Sequence, residues 1–201
     1  MKKVTLGLLT IIGAGLFFAP QALAAEPDNA KAEADINSGG GTLWLSDVPE
    51  LQFTLNGTQT SASAGKTSGT GATLNSGQAI GDLVVKDTRP TTNTKGWTVS
   101  LQAADLKINT TAILPTTSLT FGYGGTYNGG YTSKVKTFAA ANVLKTTLKI
   151  VEGQSAVTDR GSLMFGSGYV NSTLTLSSAA NTVPAGIYSG ALTYTIAEST
   201  T

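Results

Sequence analysis

The sequence predicts an all-β domain, an antiparallel β-sandwich of immunoglobulin-like or Greek-key type with long loops rich in Gly, Ser and Thr. Almost every periodic segment after residue 41 alternates apolar and polar residues with a period of two, as strands with one buried face do. Helical patterns are limited to a turn or two at residues 103–106 and 138–144. Short alternating segments separated by polar, Gly-rich turns are typical of a sandwich.

The expected strands follow one another with only short connections, apart from one long low-complexity stretch. Asn56-Gly57 favours a tight turn after the second strand. Residues 61–81 are rich in Gly, Ser, Thr and Ala, and we expect a long hairpin loop with some frayed strand. Residues 88–96 form a polar turn that leads into the strand at Trp97. The predicted strands are residues 42–45, 51–55, 83–87, 96–101, 118–121, 143–151, 163–165, 172–176 and 187–196.

The first 24 residues have the pattern of a signal peptide. Two lysines precede an uncharged apolar run at residues 4–19, and Ala22-Leu23-Ala24 offers the small residues that a signal peptidase recognises. A retained membrane helix is the alternative, but the apolar run is short and no stop-transfer cluster follows it. We expect residues 1–24 to be removed on export, with no membrane span left afterwards. Residues 25–41 are then a flexible lead-in, and residues 42–201 form one domain.

The composition excludes several classes of function. The chain has no His and no Cys, which rules out imidazole and thiolate chemistry, disulfides and acylation at a cysteine. Its 13 basic and 12 acidic residues are scattered, so nucleic acid is not an expected partner. Nothing in the spacing of the acids favours a paired-carboxylate enzyme, and we expect neither catalysis nor a cofactor nor a metal. The acids considered are Asp47, Glu50, Asp82, Asp87, Asp105, Glu152 and Asp159.

Two strand-like segments are the main candidates for binding. Trp97 and Val99 share one side of the first segment, and Tyr194 and Ile196 share one side of the second. Residues 197–201 leave no room for a sorting signal, so we expect the exported chain to hold its surface without a covalent anchor. These four residues could then contact the wall or a partner. The same periodicity fits the inward face of a sandwich strand, and both interpretations stay open.

A glycine- and tyrosine-rich segment at residues 121–131 is a second candidate. We expect it to be exposed, and a Tyr ring can stack on a sugar and donate a hydrogen bond. Tyr123, Tyr127 and Tyr131 are therefore possible accessory glycan contacts. The alternative is that the loop only caps an edge of the sandwich.

Four segments that extend over the whole chain after the predicted signal follow one another in a recognisable order: residues 41–49, 85–89, 96–99 and 184–196. This order resembles the WxL-domain family of Gram-positive surface proteins. Two departures from the family pattern are visible. Trp97-Thr98-Val99 has Val in place of Leu, and Tyr194-Thr195-Ile196 has Tyr in place of Trp.

The resemblance implies a function at the cell surface. It implies a secreted protein held noncovalently on the cell wall through the domain itself, with peptidoglycan or an associated wall polymer as the receptor. It also implies partners, namely membrane-anchored surface proteins with peptidoglycan-binding and WxL-binding domains. The alternative is an adhesin or structural subunit that binds partner proteins or host ligands and touches the wall only indirectly.

Overall fold

Seventeen β-strands and one short 3-10 helix, Ala180–Thr182, account for the regular structure in the part of the chain that the computed structural model describes. That part comprises residues 8–13, 36–37, 41–65, 77–90, 92–108, 112–123, 135–153, 161–166 and 170–199. Within it, no helix has the length and apolar character needed to cross a membrane. The strands are β1 Leu8–Gly13, β2 Ile36–Asn37, β3 Thr42–Asp47, β4 Glu50–Leu55, β5 Ser61–Gly65, β6 Gly77–Ile80, β7 Leu83–Asp87, β8 Trp97–Ala103, β9 Lys107–Ile108, β10 Ala112–Ile113, β11 Thr116–Tyr123, β12 Val135–Thr137, β13 Ala141–Asn142, β14 Leu148–Gly153, β15 Gly161–Phe165, β16 Val170–Leu176 and β17 Ile187–Glu198.

The strands form a large sheet and a small one. The small sheet has the order β15-β7-β3-β2, and the large sheet has the order β12-β14-β8-β17-β1-β4-β6-β5-β16-β11-β13, with β9 beside β17 and β10 beside β9. Among the described pairs, β1 with β4 and β5 with β6 are parallel, and the others are antiparallel. The prediction of an all-β sandwich is confirmed. The two parallel pairs are a departure from the purely antiparallel expectation.

The buried hydrophobic residues form one core, to which strands of both sheets contribute. Burial alternates along the strands as the sequence predicts, and in β8 every second residue from Trp97 to Ala103 is buried. The rings of Tyr123 from the large sheet and Phe165 from the small sheet lie 5.7 Å apart, which joins the two layers. Fully buried side chains at the centre include Leu43, Leu45, Leu51, Phe53, Leu83, Leu101, Phe121, Phe165 and Tyr194.

Residues 61–81 differ from the expected hairpin loop. Ser61–Gly65 pairs with β16, and Gly77–Ile80 pairs with β4, so both ends of the stretch are strands of the large sheet. Ala62 and Ala64 point inward and are 3% and 2% exposed. Because Ala contributes little hydrophobic area, this alternation does not stand out in the sequence. Residues 66–76 lie outside the described part.

Two further expectations about secondary structure are wrong. The predicted strand at residues 143–151 is broken, because residues 143–147 form a turn in which Lys145 has a φ of 59°. The strand begins at Leu148 instead. Neither residues 103–106 nor residues 138–144 form a helix, since Ala103 ends β8 and residues 104–106 are irregular, while the second stretch contains β13. Strand pairing outweighs the helical preference of their alanines.

The amino-terminal region contains two strands that the sequence interpretation did not anticipate. Within the predicted lead-in, Ile36 and Asn37 pair with Leu43 and Thr42, so these two residues are ordered by the small sheet. Within the predicted signal peptide, Leu8–Gly13 forms β1 and lies between β4 and β17. The other residues of 1–40 are outside the described part.

Candidate functional site

The two motif segments, almost a hundred residues apart in the sequence, are neighbouring strands. β8 and β17 pair antiparallel, with Val99 opposite Ile196 and Leu101 opposite Tyr194. Trp97, Val99, Tyr194 and Ile196 all face the core and are 4%, 0%, 1% and 4% exposed. These four side chains therefore lie on the inward face of their strands. Their side chains offer almost no surface to a ligand.

Trp97 packs against a glycine that its ring requires. Gly153 of β14 lies opposite Trp97 in the register of the two strands. A Cβ atom at this glycine would overlap the five- and six-membered rings of the indole. The strand next to β8 therefore has no side chain at the one position where the indole lies against its backbone.

Both the hydroxyl and the ring of Tyr194 have specific partners in the core. Its hydroxyl donates a hydrogen bond of 2.8 Å to the carbonyl oxygen of Pro49, and its ring meets Phe121 edge to face at a centroid distance of 6.4 Å. Burial raises the pKa of the Tyr194 hydroxyl well above its ordinary value. The hydroxyl of Tyr194, which stands where the family pattern has Trp, thus has a hydrogen-bond partner inside the core.

Arg89 is a fully buried charge beside the end of the last strand. Its side chain is 0% exposed, and Nε and Nη2 donate hydrogen bonds of 2.8 and 2.7 Å to the two carboxylate oxygens of Asp87. Nη1 donates to Oε1 of Glu198 at 2.8 Å, and Nη2 also donates to the carbonyl oxygen of Lys95 at 3.2 Å. A bidentate pair with further partners satisfies the guanidinium away from water.

Glu198 completes this network, which we call the Arg89 clasp: Asp87, Arg89, Asn93, Lys95 and Glu198. Its carboxylate also accepts hydrogen bonds from Nδ2 of Asn93 at 2.9 Å and Nζ of Lys95 at 3.4 Å. Burial by itself raises the pKa of Glu198, but the donors on Arg89, Asn93 and Lys95 outweigh it and lower the pKa to about 2. The clasp therefore fastens the carboxyl end of β17 to the turn that precedes Trp97.

The expectation that Tyr123 is exposed is wrong. Tyr123 ends β11, is 5% exposed and packs against Phe121 and Phe165 at ring distances of 5.5 and 5.7 Å. The strand continues further than the glycine-rich sequence suggests and turns this ring into the core. Tyr127 and Tyr131 lie outside the described residues.

An aromatic residue with no predicted role lies on the opposite side of the small sheet. Leu43 and Leu45 of β3 are buried, so the intervening Trp44 points outward and is partly exposed. Lys86 of β7 is its cross-strand partner, and its Nζ lies 5.9 Å from the centroid of the indole. This distance is within the range of a cation–π interaction.

The neighbours of Trp44 make a continuous outward surface, which we call the Trp44 face. Met164 of β15 is 37% exposed and pairs with Val84 of β7, while Ser162 pairs with Lys86. The signal for this surface was present in the sequence, since two flanking leucines fix the direction of Trp44. The Trp44 face consists of Thr42, Trp44, Val84, Lys86, Ser162 and Met164.

Comparison with known proteins identifies the family. The family model described as "WxL domain surface cell wall-binding" matches residues 19–199, nearly the whole chain. Searches of curated proteins and of solved structures give no match. The matched region contains the motif strands, the Arg89 clasp and the Trp44 face. The chain therefore belongs to the WxL family, whose domain is a surface domain that binds the cell wall.

Proposed function

We propose that this protein attaches noncovalently to peptidoglycan of the Gram-positive cell wall through the Trp44 face. One observation carries the proposal. The aromatic residues of the two motif strands, Trp97 and Tyr194, are 4% and 1% exposed, whereas Trp44 is partly exposed beside Lys86. A rigid polymer can reach only the second kind of residue without opening the core.

The chemistry of the Trp44 face suits a wall polymer. The flat indole of Trp44 offers an apolar surface on which the C–H groups of a sugar ring can stack. The ammonium of Lys86 beside it can pair with a carboxylate on the stem peptides, and Ser162 adds a hydroxyl. Because the face lies on paired strands, these groups are held at fixed spacings along a linear ligand.

The motif residues support this face from inside. Trp97, Val99, Tyr194 and Ile196 fill the core beneath the sheets, and the hydroxyl of Tyr194 bonds to Pro49 in the connection that leaves β3. They act as positioning residues for the domain. On this basis Val in place of Leu and Tyr in place of Trp preserve wall attachment, because neither residue is itself a contact.

Export and partner proteins belong to the same proposal. We expect residues 1–24 to be removed and the chain to act at the cell surface together with membrane-anchored proteins that carry peptidoglycan-binding domains. Short-range crosslinking on intact cells with a reagent placed at Ser162 tests this arrangement. Capture of muropeptides supports the proposal. Capture of protein alone favours the alternative, an adhesin or structural subunit that reaches the wall indirectly.

Sedimentation with isolated peptidoglycan sacculi tests wall binding directly. We expect chain 25–201 to pellet with the sacculi, and Trp44→Ala to weaken binding by about tenfold, as a loss of about 1.4 kcal/mol would do. Ile113→Ala removes an apolar side chain that is 53% exposed elsewhere and serves as the matched control. Equal binding by Trp44→Ala and Ile113→Ala would contradict the assignment, and no binding by the wild type would contradict wall attachment itself.

The double variant Trp97→Ala, Tyr194→Ala separates folding from contact. Because both rings are buried, we expect this variant to lose its cooperative unfolding transition rather than only its affinity. If the double variant keeps the wild-type melting temperature but fails to bind sacculi, Trp97 and Tyr194 contact the wall directly.

A further inference from the structure

The strand β1 occupies an unusual place in the large sheet. It pairs antiparallel with the first half of β17, with Ile11 opposite Tyr188, and parallel with β4, with Ile11 opposite Phe53. It comes entirely from the segment that we expect the signal peptidase to remove. The exported chain would therefore lack a strand that lies in the middle of its sheet.

Removal of residues 1–24 opens a gap that we call the strand slot, bounded by residues 51–55 of β4 and 187–191 of β17. Adjacent strands are about 4.8 Å apart, so the two edges face each other across roughly 10 Å, the space of one strand. Backbone N–H and C=O groups on both edges lose their partners. An unfilled slot would leave two strand edges without hydrogen-bond partners, so the fold would be incomplete.

The inner side of the strand slot is apolar. Leu51 and Phe53 of β4 are 0% and 1% exposed, and Tyr188 of β17 is 2% exposed, with β1 in place. Phe53 and Tyr188 are buried, and both are in register with position 11 on the two edges of the slot. An incoming strand therefore needs a large apolar residue there.

We propose that the exported chain takes up a β-strand from a partner polypeptide in this slot, which rests on the export and cleavage proposed above. The donated strand is about five residues long, runs parallel to β4 and antiparallel to β17, and places an aliphatic residue at the register position of Ile11. Main-chain hydrogen bonds to two edges supply affinity, and the buried rings of Phe53 and Tyr188 on either side of that position supply selectivity.

The chain's own lead-in is a poor source of that strand. Residues 25–40 contain one large apolar residue, Ile36, and this residue pairs with Leu43 in the small sheet. The rest of the segment is Ala, Gly, Asn, Ser, Pro and charged residues, which do not supply alternating aliphatic side chains. The lead-in of a second copy has the same sequence and the same deficiency. We therefore assign the slot to a strand from a different polypeptide.

A peptide-binding experiment tests the slot. Chain 25–201 is mixed with a synthetic peptide that carries the sequence Leu8–Gly13 between flanking lysines, or with the same peptide carrying Ile11→Asp. We expect the first peptide to raise the melting temperature and to protect the amides of residues 51–55 and 187–191 from hydrogen exchange. The Ile11→Asp peptide should bind at least tenfold more weakly, because it would bring a carboxylate into register with the buried residues Phe53 and Tyr188.

A self-complemented variant covers the case in which chain 25–201 does not fold by itself. Because β1 is antiparallel to β17, a flexible linker of about ten residues after Thr201 can return the sequence of Leu8–Gly13 to the slot. We expect this variant to fold with a higher melting temperature than the same variant carrying Ile11→Asp. Equal melting temperatures of the two variants would overturn the proposal.

Other results also overturn it, and they differ from a failure of wall binding. Amides of both edges that are already protected in chain 25–201, with no binding of either peptide, would mean that the chain closes the slot itself. A stable dimer that the peptide does not dissociate would assign the slot to a second copy. Residues 1–24 still present on the surface form, by mass spectrometry, would mean that the slot never opens. Wall binding is read separately, by sedimentation with sacculi of whichever chain folds, 25–201 or the self-complemented variant, because the Trp44 face lies on the other sheet.

Discussion

The Arg89 clasp makes a quantitative prediction about stability through Glu198. We consider the substitution Glu198→Gln, which keeps the size of the side chain and an oxygen acceptor but removes the charge that faces Arg89. The pKa of Glu198 falls from an ordinary value of 4.5 to about 2 in the folded chain. At about 1.4 kcal/mol for each tenfold change, this corresponds to about 3 kcal/mol at neutral pH. Because its side chain is 19% exposed and partly screened, we expect about 1 to 2 kcal/mol.

The pH dependence of this difference has a defined sign. The folded-state pKa of Glu198 is lowered, so its contribution is complete above the unfolded-state pKa near 4.5 and disappears as the pH falls toward 2. Urea unfolding of the wild type and of Glu198→Gln, measured between pH 7 and pH 2.5, gives the free energy difference at each pH. We expect the two chains to differ most at pH 7 and to differ progressively less as the pH falls from about 4.5 toward 2.5.

The control is Glu152→Gln, because Glu152 contacts Lys149 at 3.8 Å and the lysine side chain is 56% exposed. A surface pair of this kind contributes less than about 0.5 kcal/mol. If Glu198→Gln is no more destabilising than Glu152→Gln, or if its effect is the same at pH 3 and pH 7, the clasp does not stabilise the fold as described.

Two further substitutions test the packing around the motif, and a third tests the role of Tyr123. Tyr194→Phe removes the donor to the carbonyl of Pro49, and urea unfolding should show a loss of about 1 to 2 kcal/mol. Gly153→Ala forces a Cβ against the indole of Trp97 and should lower the unfolding free energy by about 1 to 3 kcal/mol, with a shifted Trp97 emission. Tyr123→Phe should leave sedimentation with sacculi unchanged, whereas a twofold or larger loss would restore Tyr123 as a glycan contact.

Period-two alternation predicted most strands because one face of each is buried against a single core. Val85 and Leu163 are aliphatic residues flanked by outward-facing ones, and strands were expected and found around both. The same rule failed for β5, whose inward residues are Ala62 and Ala64. Alternation reports burial only when the buried side chains are large.

The direction of the motif residues was not decidable from the sequence, and the structural reason is specific. Alternation shows that Trp97 and Val99 share a side, but an apolar face that binds a ligand has the same period as one that meets the core. At Trp44 the question was decidable, because Leu43 and Leu45 require the core on their own side. The clasp was not visible either, since Arg89 and Glu198 are 109 positions apart and a charged residue is normally expected at the surface.

The chain contains two tryptophans, Trp44 and Trp97, which allows one measurement to test the central claim most directly. Titration of chain 25–201 with soluble peptidoglycan fragments is followed by tryptophan fluorescence in the variants Trp97→Phe and Trp44→Phe. In Trp97→Phe the emission of Trp44 should shift and saturate with added fragment. In Trp44→Phe the emission of buried Trp97 should stay constant. A response from Trp97 and none from Trp44 would show that the motif strand, rather than the Trp44 face, meets the wall.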